Sequence, residues 1–276
     1  MNESNVGGSF IPTSDNFNQA LAAYHRKGSH WTRYAFARRY CDDRRVLDIG
    51  CGHGYGAAIL SPHFRSYTGL DVDRSAIEWA TRVVSPRVGG TRFLCSDEFF
   101  GAALEERFET VLCFEVLEHV PAPLELLNNV RHLLSPGGVA LLSTPNGIVS
   151  QGDSKRFRSP FHLKEYAASE VASMVHELNF GARFYKEHRR DRLDAIALRW
   201  GMGEDRQRAS EGLRSRAFEW FAERFDGPAF WTISPADPAE MMSPGYSTIV
   251  VELVDHSPQA LHAPVNRGIN GRKESL

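Results

Sequence analysis

The chain has 276 residues, of which 42% are hydrophobic and 24% charged, and its formal net charge is −2. This composition is typical of a globular protein in water, and the near-zero charge gives no reason to expect a nucleic acid or an anionic membrane as partner. The four cysteines form no C-x-x-C pair, which argues against a disulfide framework or a zinc knuckle and favours reduced thiols in the cytoplasm. The first residues do not resemble a signal peptide, and no apolar run reaches membrane-spanning length.

Residues 1–40 are predicted to form an N-terminal helical extension. Apolar and aromatic residues recur at helical spacing between Phe17 and Phe36, after a polar start that contains glycine and proline. Gly28 interrupts this pattern, so we expect two helices rather than one.

Short apolar runs alternate with helical patterns from residue 41 onwards. Continuous apolar runs are typical of strands covered on both faces, and the alternation predicts an α/β fold with a doubly wound, mainly parallel sheet. The predicted strands are 45–50, 66–72, 91–95, 108–115, 139–144, 182–188 and 247–254. The predicted helices are 74–84, 99–107, 121–134 and 164–179, with a further helix after the first strand.

A long insertion separates the last two predicted strands. The core therefore comprises residues 41–188 and 247–254, and residues 189–246 are predicted to form a lid or a substrate cap with a helix over 206–225. Acidic residues interleave with the basic residues of that helix, which favours a solvated amphipathic helix over a nucleic-acid surface. Residues 255–276 are polar and are predicted to be a disordered tail.

The first strand runs into a glycine-rich turn that reads Asp48-Ile-Gly50-Cys-Gly52-His-Gly54. Glycine permits a tight turn and a close approach of the backbone to a ligand, and the end of the first strand borders the ligand crevice of open α/β sheets. The spacing matches neither the dinucleotide fingerprint nor the Walker loop. By itself, the turn is also compatible with a strand-to-helix connection that binds nothing.

Two aspartates follow the next two predicted strands. Asp71 ends the second strand, where a carboxylate can accept hydrogen bonds from both hydroxyls of a ribose. Asp97 follows the third strand, where it would reach an adenine amino group. The alternatives are that Asp71 caps the next helix, a role for which Asp73 is better placed, and that Asp97 is a turn residue.

Five stretches resemble, in order, the motifs of class I S-adenosylmethionine-dependent methyltransferases: VLDIGCGHGYG, GLDVDRSAIEWA, CSD, CFEVLEHV and LLSPGGVALLSTPN. The resemblance covers residues 40–188 and implies a seven-stranded sheet with a reversed last strand. It implies that the glycine loop lines the methionine part of S-adenosyl-L-methionine, that Asp71 holds the ribose, and that Asp97 and Glu98 flank the adenine. The cofactor-binding residues implied in this way are Asp48, Gly50, Cys51, Gly52, Gly54, Asp71, Val72, Asp97, Glu98, Phe114 and Glu115.

Glu115, Glu118 and His119 follow the fourth strand and share one face of a helical turn. His162 follows the fifth strand, whose loop opens at the same sheet edge, so these four side chains are predicted to converge beside the methyl donor. Glu115, Glu118, His119 and His162 are candidate ligands of Mg²⁺, Mn²⁺ or Zn²⁺. Such a metal would lower the pKa of an acceptor hydroxyl.

The E-x-x-E-H stretch is similar to one shared by ubiquinone-pathway O-methyltransferases and small-RNA 2′-O-methyltransferases. Two alternatives to a metal stay open: the stretch only shapes its loop, or His119 or His162 acts as a general base. Glu118, His119 and His162 are therefore the candidate catalytic residues.

The segments 30–37 and 160–166 resemble parts of methyltransferases found with glycan and natural-product enzymes, although His30 and Trp31 also fit a core-facing helix end. The leading hypothesis is an S-adenosylmethionine-dependent O-methyltransferase of a sugar or another hydroxylated small molecule, working by in-line transfer. This hypothesis predicts that the chain acts on a small-molecule acceptor and binds neither a nucleic acid nor a membrane. The alternatives are a metal-dependent small-RNA 2′-O-methyltransferase and a non-catalytic protein that keeps the fold.

Overall fold

The computed structural model describes residues 15–25, 28–96, 104–148, 161–189, 231–242 and 248–255. The strands in these ranges are β1 Arg45–Ile49, β2 Ser66–Asp71, β3 Thr91–Cys95, β4 Phe108–Phe114, β5 Leu134–Pro145, β6 Phe180–Arg189, β7 Trp231–Pro235 and β8 Thr248–Asp255. The α-helices are α1 Phe17–His25, α2 Gly28–Ala37, α3 Tyr55–Leu60, α4 Arg74–Trp79, α5 Pro123–Leu133 and α6 Ala168–Glu177. Each of these helices is too short or too polar to cross a lipid bilayer.

The strands form one sheet in the order β3-β2-β1-β4-β5-β8-β6-β7. Strands β1 to β5 are parallel to one another, whereas β8 lies antiparallel between β5 and β6. The strand order reverses at β1, which is where ligands bind in open sheets of this kind. The doubly wound, mainly parallel sheet with a reversed last strand is therefore confirmed.

The described residues contain eight strands where the sequence predicted seven. The additional strand, β7, pairs antiparallel with β6 and lies within the predicted insertion 189–246. Part of that segment is therefore the edge of the sheet rather than a cap, and its five residues are too few for periodicity to reveal a strand. Residues 190–230 and 243–246 of the predicted cap lie outside the described residues, as do the tail residues 256–276.

Several predicted helices differ in extent from those observed. The predicted helix 74–84 is α4 followed by a π-helical turn, Ala80–Val84. The predicted helix 164–179 begins only at Ala168. Residues 104–107 of the predicted helix 99–107 are not helical, and the rest of that segment lies outside the described residues. The division of the N-terminal segment into two helices is confirmed by α1 and α2.

Apolar side chains cover both faces of the sheet. Along β4, Val111 and Cys113 pack into one cluster while Leu112 and Phe114 pack into the other, as the alternation of strand side chains requires. Helices α5 and α6 cover the first face, and α1 to α4 cover the second. The N-terminal helices are therefore part of the core and lie over the end of β1.

A buried arginine joins α2 to the far half of the sheet. Arg33 is 3% exposed and donates from Nε and Nη2 to Oε2 of Glu187 on β6, at 3.0 and 2.8 Å. Its Nη2 also donates to Oγ1 of Thr248 on β8 at 3.2 Å. Because Glu187 is fully buried and an unpaired buried charge is costly, this ion pair fixes α2 on the sheet.

Asp48 connects α2, β1 and β2. Its carboxylate is fully buried, and Oδ2 accepts hydrogen bonds from the hydroxyls of Tyr34 on α2, at 2.9 Å, and Tyr67 on β2. Burial raises the pKa of Asp48 to about 7, and the two tyrosine hydroxyls oppose that effect. Three elements are thus held around one carboxyl group that retains its proton far above the ordinary range.

We expect Arg33→Met to lower the free energy of unfolding by roughly 3–5 kcal/mol, because it leaves the Glu187 carboxylate buried without its cation. Urea unfolding measures this loss, and Arg39→Met on the exposed side of the same segment is the matched control. The double variant Arg33→Met/Glu187→Met should recover much of the stability. A loss below about 1 kcal/mol for Arg33→Met would show that the pair does not fix α2.

The raised pKa of Asp48 makes stability depend on pH. The folded protein keeps this proton up to about pH 7, whereas the unfolded chain releases it near pH 3.8. The stabilising contribution of Asp48 is therefore fully present in acid and is lost as the pH rises through about 7. In urea unfolding between about pH 5 and 7.5, we expect Asp48→Asn to lose less stability with pH than the wild type. Parallel pH profiles would contradict the assignment.

Candidate functional site

The turn after β1 contains three glycines with positive φ: Gly50 at 75°, Gly52 at 51° and Gly54 at 73°. Residues with side chains rarely adopt this region. Space also excludes a side chain at two of them, since an added Cβ on Gly50 would lie 2.4 Å from Val116 and one on Gly54 would lie 2.7 Å from the Phe93 ring. An added Cβ on Gly52 would meet nothing within 4 Å, so open space borders the loop backbone there.

Asp71, at the end of β2, binds the glycine loop directly. Its Oδ2 accepts a hydrogen bond from the Gly52 N–H at 2.7 Å, and its Oδ1 accepts one from the Asp73 N–H at 2.9 Å. Burial raises the pKa of Asp71. Asp71 is not the cap of α4, because Asp73 accepts from the first-turn N–H groups of that helix. Since each carboxylate oxygen can accept a second bond, Asp71 retains acceptor capacity beside Gly52.

The residues predicted to flank an adenine are only partly within the described residues. Asp97 and Glu98 lie outside them. The last described residue before them, Ser96, donates its N–H to the Asp71 carbonyl at 3.0 Å. Val72 is half-buried, and its carbonyl accepts from Sγ of Cys95 at 3.7 Å.

Cys51 occupies the glycine loop as a buried thiol. It is 5% exposed, and burial raises the pKa of its thiol well above the ordinary value. An added Cβ on Gly69 of the neighbouring strand would come within 2.8 Å of the Cys51 sulfur. Cys51 therefore packs the loop against β2 as a neutral residue.

Two buried polar atoms near the end of β1 have no hydrogen-bond partner among the described residues: Oδ1 of Asp48 and Nη1 of Arg33. Nη1 lies 3.2 Å from Oε1 of Glu115, which is an ion-pair distance. Tyr24 on α1 interacts electrostatically with Arg33, Asp48 and Glu115, so these charges surround one region. A buried acceptor without a hydrogen-bond partner, next to a donor whose contact is the ion pair with Glu115, fits a ligand that carries both kinds of polar group.

Phe114 is the last residue of β4, and Glu115 follows it. The Phe114 ring meets Tyr34 edge-on, with ring centroids 5.3 Å apart. Glu115 has a positive φ of 57°, and its Oε1 accepts from the Ser143 hydroxyl at 2.8 Å. The Glu115 carboxylate is therefore engaged by Ser143 and Arg33.

Glu118 lies in a short 3₁₀ turn, Leu117–His119, and is fully buried. Its Oε2 accepts from the Thr144 hydroxyl at 3.0 Å, whereas Oε1 is buried without a hydrogen-bond partner among the described residues. Burial raises the pKa of Glu118 well above its ordinary value, and the neighbouring Glu115 adds to the effect. A buried carboxylate with one unused oxygen fits a cation or a donor that enters the site.

Two imidazoles lie beside Glu118. The rings of His119 and His162 have centroids 4.8 Å apart at an interplanar angle of 83°. Nδ1 of His119 lies 2.9 Å from the Phe161 carbonyl, which can only accept, so Nδ1 carries the hydrogen and Nε2 the lone pair. Burial lowers the pKa of His119, and the proximity of His162 contributes, so His119 is a neutral base at neutral pH.

The three side chains form one compact group. One potential metal-ligating atom from each of Glu118, His119 and His162 lies within 4.8 Å of the other two. Glu115 is not a member of this group in the described residues. The structure thus brings together three of the four predicted ligands, whereas the Glu115 carboxylate is bonded to Ser143 and ion-paired with Arg33.

The segment 161–167 is fastened to two neighbouring loops. The N–H groups of Leu163 and Lys164 donate to the Glu118 carbonyl at 2.8 and 3.3 Å, and the Gly147 N–H donates to the Tyr166 carbonyl at 2.9 Å. These bonds hold the backbone out of the helical conformation, which is why α6 begins later than predicted. They also set the position of His162 relative to Glu118.

The glycine loop and the Glu118–His119–His162 group are adjacent. The side chain of Val116, two residues before Glu118, packs against Gly50 so closely that it occupies the space of a Cβ there. β1 and β4 are also paired neighbours in the sheet. The loop after β1 and the loop after β4 are therefore neighbours at the same edge of the sheet.

Sequence reasoning missed Arg33 and Glu165. Arg33 sits in a helix whose aromatic residues suggest only core packing, and its partners are distant in the sequence. Glu165 is the carboxylate to which His162 Nδ1 is bonded, at 2.6 Å. His162 and Glu165 are three positions apart in the sequence, and this spacing could have indicated the pair.

Comparison with known proteins identifies relatives of this chain. A family model described as a methyltransferase domain matches residues 16–183. A protein of Mycolicibacterium smegmatis named as a probable S-adenosylmethionine-dependent methyltransferase is 31% identical over 156 residues, which cover 55% of this chain and 57% of that protein. A ubiquinone biosynthesis O-methyltransferase of Coxiella burnetii is 34% identical over 103 residues, which cover 37% of this chain and 44% of the relative. The chain thus spans about half the length of the curated relatives it matches.

Solved structures share the fold at low sequence identity. The YcgJ protein from Bacillus subtilis is similar with a TM-score of 0.55 and 18% identity, over 83% of this chain and 99% of that chain. The N-methyltransferase NodS from Bradyrhizobium japonicum, solved with S-adenosyl-L-homocysteine, is similar with a TM-score of 0.51 and 13% identity, over 86% of this chain and 88% of that chain. Since the family model matches more than half of the chain, this protein belongs to the methyltransferase domain family and has the Rossmann-like fold of the S-adenosylmethionine-dependent methyltransferases.

Proposed function

We propose that this chain is an S-adenosylmethionine-dependent methyltransferase that acts on a hydroxyl oxygen of a small molecule, a sugar or another hydroxylated compound. The observation that carries the proposal is the hydrogen bond between Gly52 and Asp71 beside open space, at the sheet edge where the Glu118–His119–His162 group also lies. The Coxiella burnetii relative bears the name of an O-methyltransferase, which supports oxygen as the acceptor atom.

The proposed cofactor-binding role is supported by side chains whose hydrogen-bond donors and acceptors match the polar groups of S-adenosyl-L-methionine. The unused acceptor capacity of Asp71 suits the two ribose hydroxyls, and the open space at Gly52 admits the methionine part. Arg33 Nη1 offers a donor for a carboxylate. Asp48 Oδ1 offers an acceptor for an ammonium group once the carboxyl group is ionised, which the positive charge of that ammonium group favours. When bound, the cofactor supplies a methyl group on a positively charged sulfur, and a site shielded from water favours the loss of that charge.

The acceptor-binding role rests on the two imidazoles. His119 and His162 each bond through Nδ1, so Nε2 is the nitrogen of each ring that remains to accept a hydrogen bond from an acceptor hydroxyl. Holding that hydroxyl in line with the methyl donor is the main catalytic task in a direct displacement. Glu118 contributes a buried oxygen without another partner on the same side.

The same three residues fit a divalent cation. Glu118 would supply one oxygen, and His119 and His162 would each supply one nitrogen. A mixed set of imidazole and carboxylate ligands suits Mn²⁺ or Zn²⁺ better than Mg²⁺, which prefers oxygen. Such an ion would act as a Lewis acid on the acceptor hydroxyl.

A transfer assay with radiolabelled methyl donor tests the proposed acceptor class. The panel contains sugars, catechols, polyols and small RNAs, and we expect a base-stable ether product from a small molecule. Transfer only to RNA would favour the 2′-O-methyltransferase alternative, which also requires salt-dependent RNA binding. Cofactor binding without transfer to any hydroxyl compound would overturn the proposed function.

We expect Asp71→Ala to weaken the binding of S-adenosyl-L-homocysteine by about 1–3 kcal/mol, because hydrogen bonds to the ribose are lost. Isothermal titration calorimetry measures the change. Asp73→Ala is the matched control: it removes the cap of α4 and should lower thermal stability while leaving the affinity nearly unchanged. Equal affinities for the wild type and Asp71→Ala would contradict the ribose assignment.

For the metal, we expect about one divalent ion per chain after exhaustive chelation and reloading with Mn²⁺ or Zn²⁺, with transfer activity rising in step. Glu118→Gln and His162→Ala should lose both ion and activity. Glu115→Gln is the matched control and should retain the ion, because Glu115 lies outside the ligand group. Full activity in the chelated wild type would exclude a metal role.

A further inference from the structure

Glu165 is a buried carboxylate that the proposed function does not use. Its side chain is 3% exposed, and its Oε1 lies 2.6 Å from Nδ1 of His162. Burying a carboxylate is costly unless it is hydrogen-bonded or paired. Among the described residues, the Glu165 carboxylate is bonded to the His162 ring, so the two side chains form one hydrogen-bonded unit.

The backbone around Glu165 is held firmly against the end of β5. The Gly147 N–H donates to the Tyr166 carbonyl at 2.9 Å, and Tyr166 forms a bridge with Asn146. An added Cβ on Gly147 would come within 2.6 Å of the Glu165 carbonyl oxygen, so this residue must be glycine for the segments to approach so closely. The Glu165 carboxylate therefore extends from a fixed point.

The two histidines of the site are oriented by different groups. His119 Nδ1 donates to the Phe161 carbonyl, a neutral acceptor, at 2.9 Å. His162 Nδ1 lies 2.6 Å from a carboxylate oxygen of Glu165, and a hydrogen bond to a charged acceptor is stronger than one to a neutral carbonyl. Only the His162 ring is therefore held by a charge-assisted bond.

We propose that Glu165 is a positioning residue that fixes His162 as the Nδ1–H tautomer and turns its Nε2 lone pair towards Glu118 and His119. A lone pair on Nε2 is what either a divalent cation or the hydrogen of an acceptor hydroxyl needs. The importance of this residue for catalysis rests on the proposed function, but the tautomer itself does not, because it is a property of the ligand-free protein.

Long-range proton–nitrogen NMR spectra of protein labelled with ¹⁵N-histidine test the proposal. The spectra are recorded on chelated protein at about pH 8, above the ordinary pKa of histidine, and His162 is assigned from the signal lost in His162→Asn. We expect the wild-type ring to carry hydrogen on Nδ1 and none on Nε2. A wild-type His162 protonated on Nε2 would overturn the proposal without recourse to any Glu165 variant.

The variant Glu165→Gln keeps the size of the side chain but removes its charge. Because a glutamine amide can either donate or accept, we expect His162 to populate both tautomers. The matched control Glu170→Gln removes a carboxylate that bonds to Lys164 and to the Ala167 N–H, and it should leave the His162 spectrum unchanged. An unaltered tautomer in Glu165→Gln would contradict the positioning role.

Titration of the chelated protein with Co²⁺ provides a second readout. Loss of an oriented ligand should weaken Co²⁺ binding about 10- to 100-fold in Glu165→Gln but not in Glu170→Gln. Equal Co²⁺ affinities for the wild type and Glu165→Gln would count against the proposal. No Co²⁺ binding by the wild type would overturn the proposed metal site alone, because the tautomer is measured without metal.

Discussion

The hydrogen bond from the Gly52 N–H to the Asp71 carboxylate ties the loop after β1 to the end of β2, and the rest of the site is arranged around it. It requires a left-handed backbone at Gly52 and a strand that ends in a buried acid. Parallel pairing of β1 with β2 brings these two positions to the same edge of the sheet. This hydrogen bond therefore places the accessible backbone of Gly52 next to carboxylate oxygens that can accept hydrogen bonds from a nucleoside.

Some buried polar atoms near the glycine loop have no hydrogen-bond partner among the described residues. Buried polar atoms in folded proteins nearly always have hydrogen-bond partners, so exceptions need an explanation. Asp48 Oδ1, Arg33 Nη1 and Glu118 Oε1 lack such partners among the described residues, and each lies at or near the ends of β1 and β4. Their charges differ in sign, which suits a ligand that is itself zwitterionic next to a site that takes a cation or a hydroxyl.

Much of the fold could be predicted from the sequence because its signals are local. Continuous apolar runs that alternate with amphipathic segments indicate a parallel sheet whatever the rest of the chain does. β7 could not be predicted, because five residues at a sheet edge have no periodicity of their own and gain their structure by pairing with β6. The start of α6 was placed too early because backbone bonds from Leu163 and Lys164 to Glu118 outweigh helix propensity.

In the candidate site, too, residues with local signals could be predicted from the sequence, whereas contacts between distant residues could not. Gly52, Asp71, Glu118 and His162 could be selected because their residue types and positions after strands indicate chemistry. Arg33 could not, since its ion-pair partner Glu187 is 154 positions away in the chain. Helical spacing grouped Glu115 with Glu118 and His119, but Glu115 does not have a helical backbone. Its φ is positive, and its carboxylate bonds to Ser143.

A crystal structure of the protein with bound S-adenosyl-L-homocysteine tests the account most directly. The account predicts both ribose hydroxyls on the Asp71 carboxylate, the homocysteine part along the backbone of Gly50 to Gly54, and the sulfur facing His119 and His162. A nucleoside bound at another edge of the sheet, with Asp71 still bonded only to Gly52 and Asp73, would contradict it.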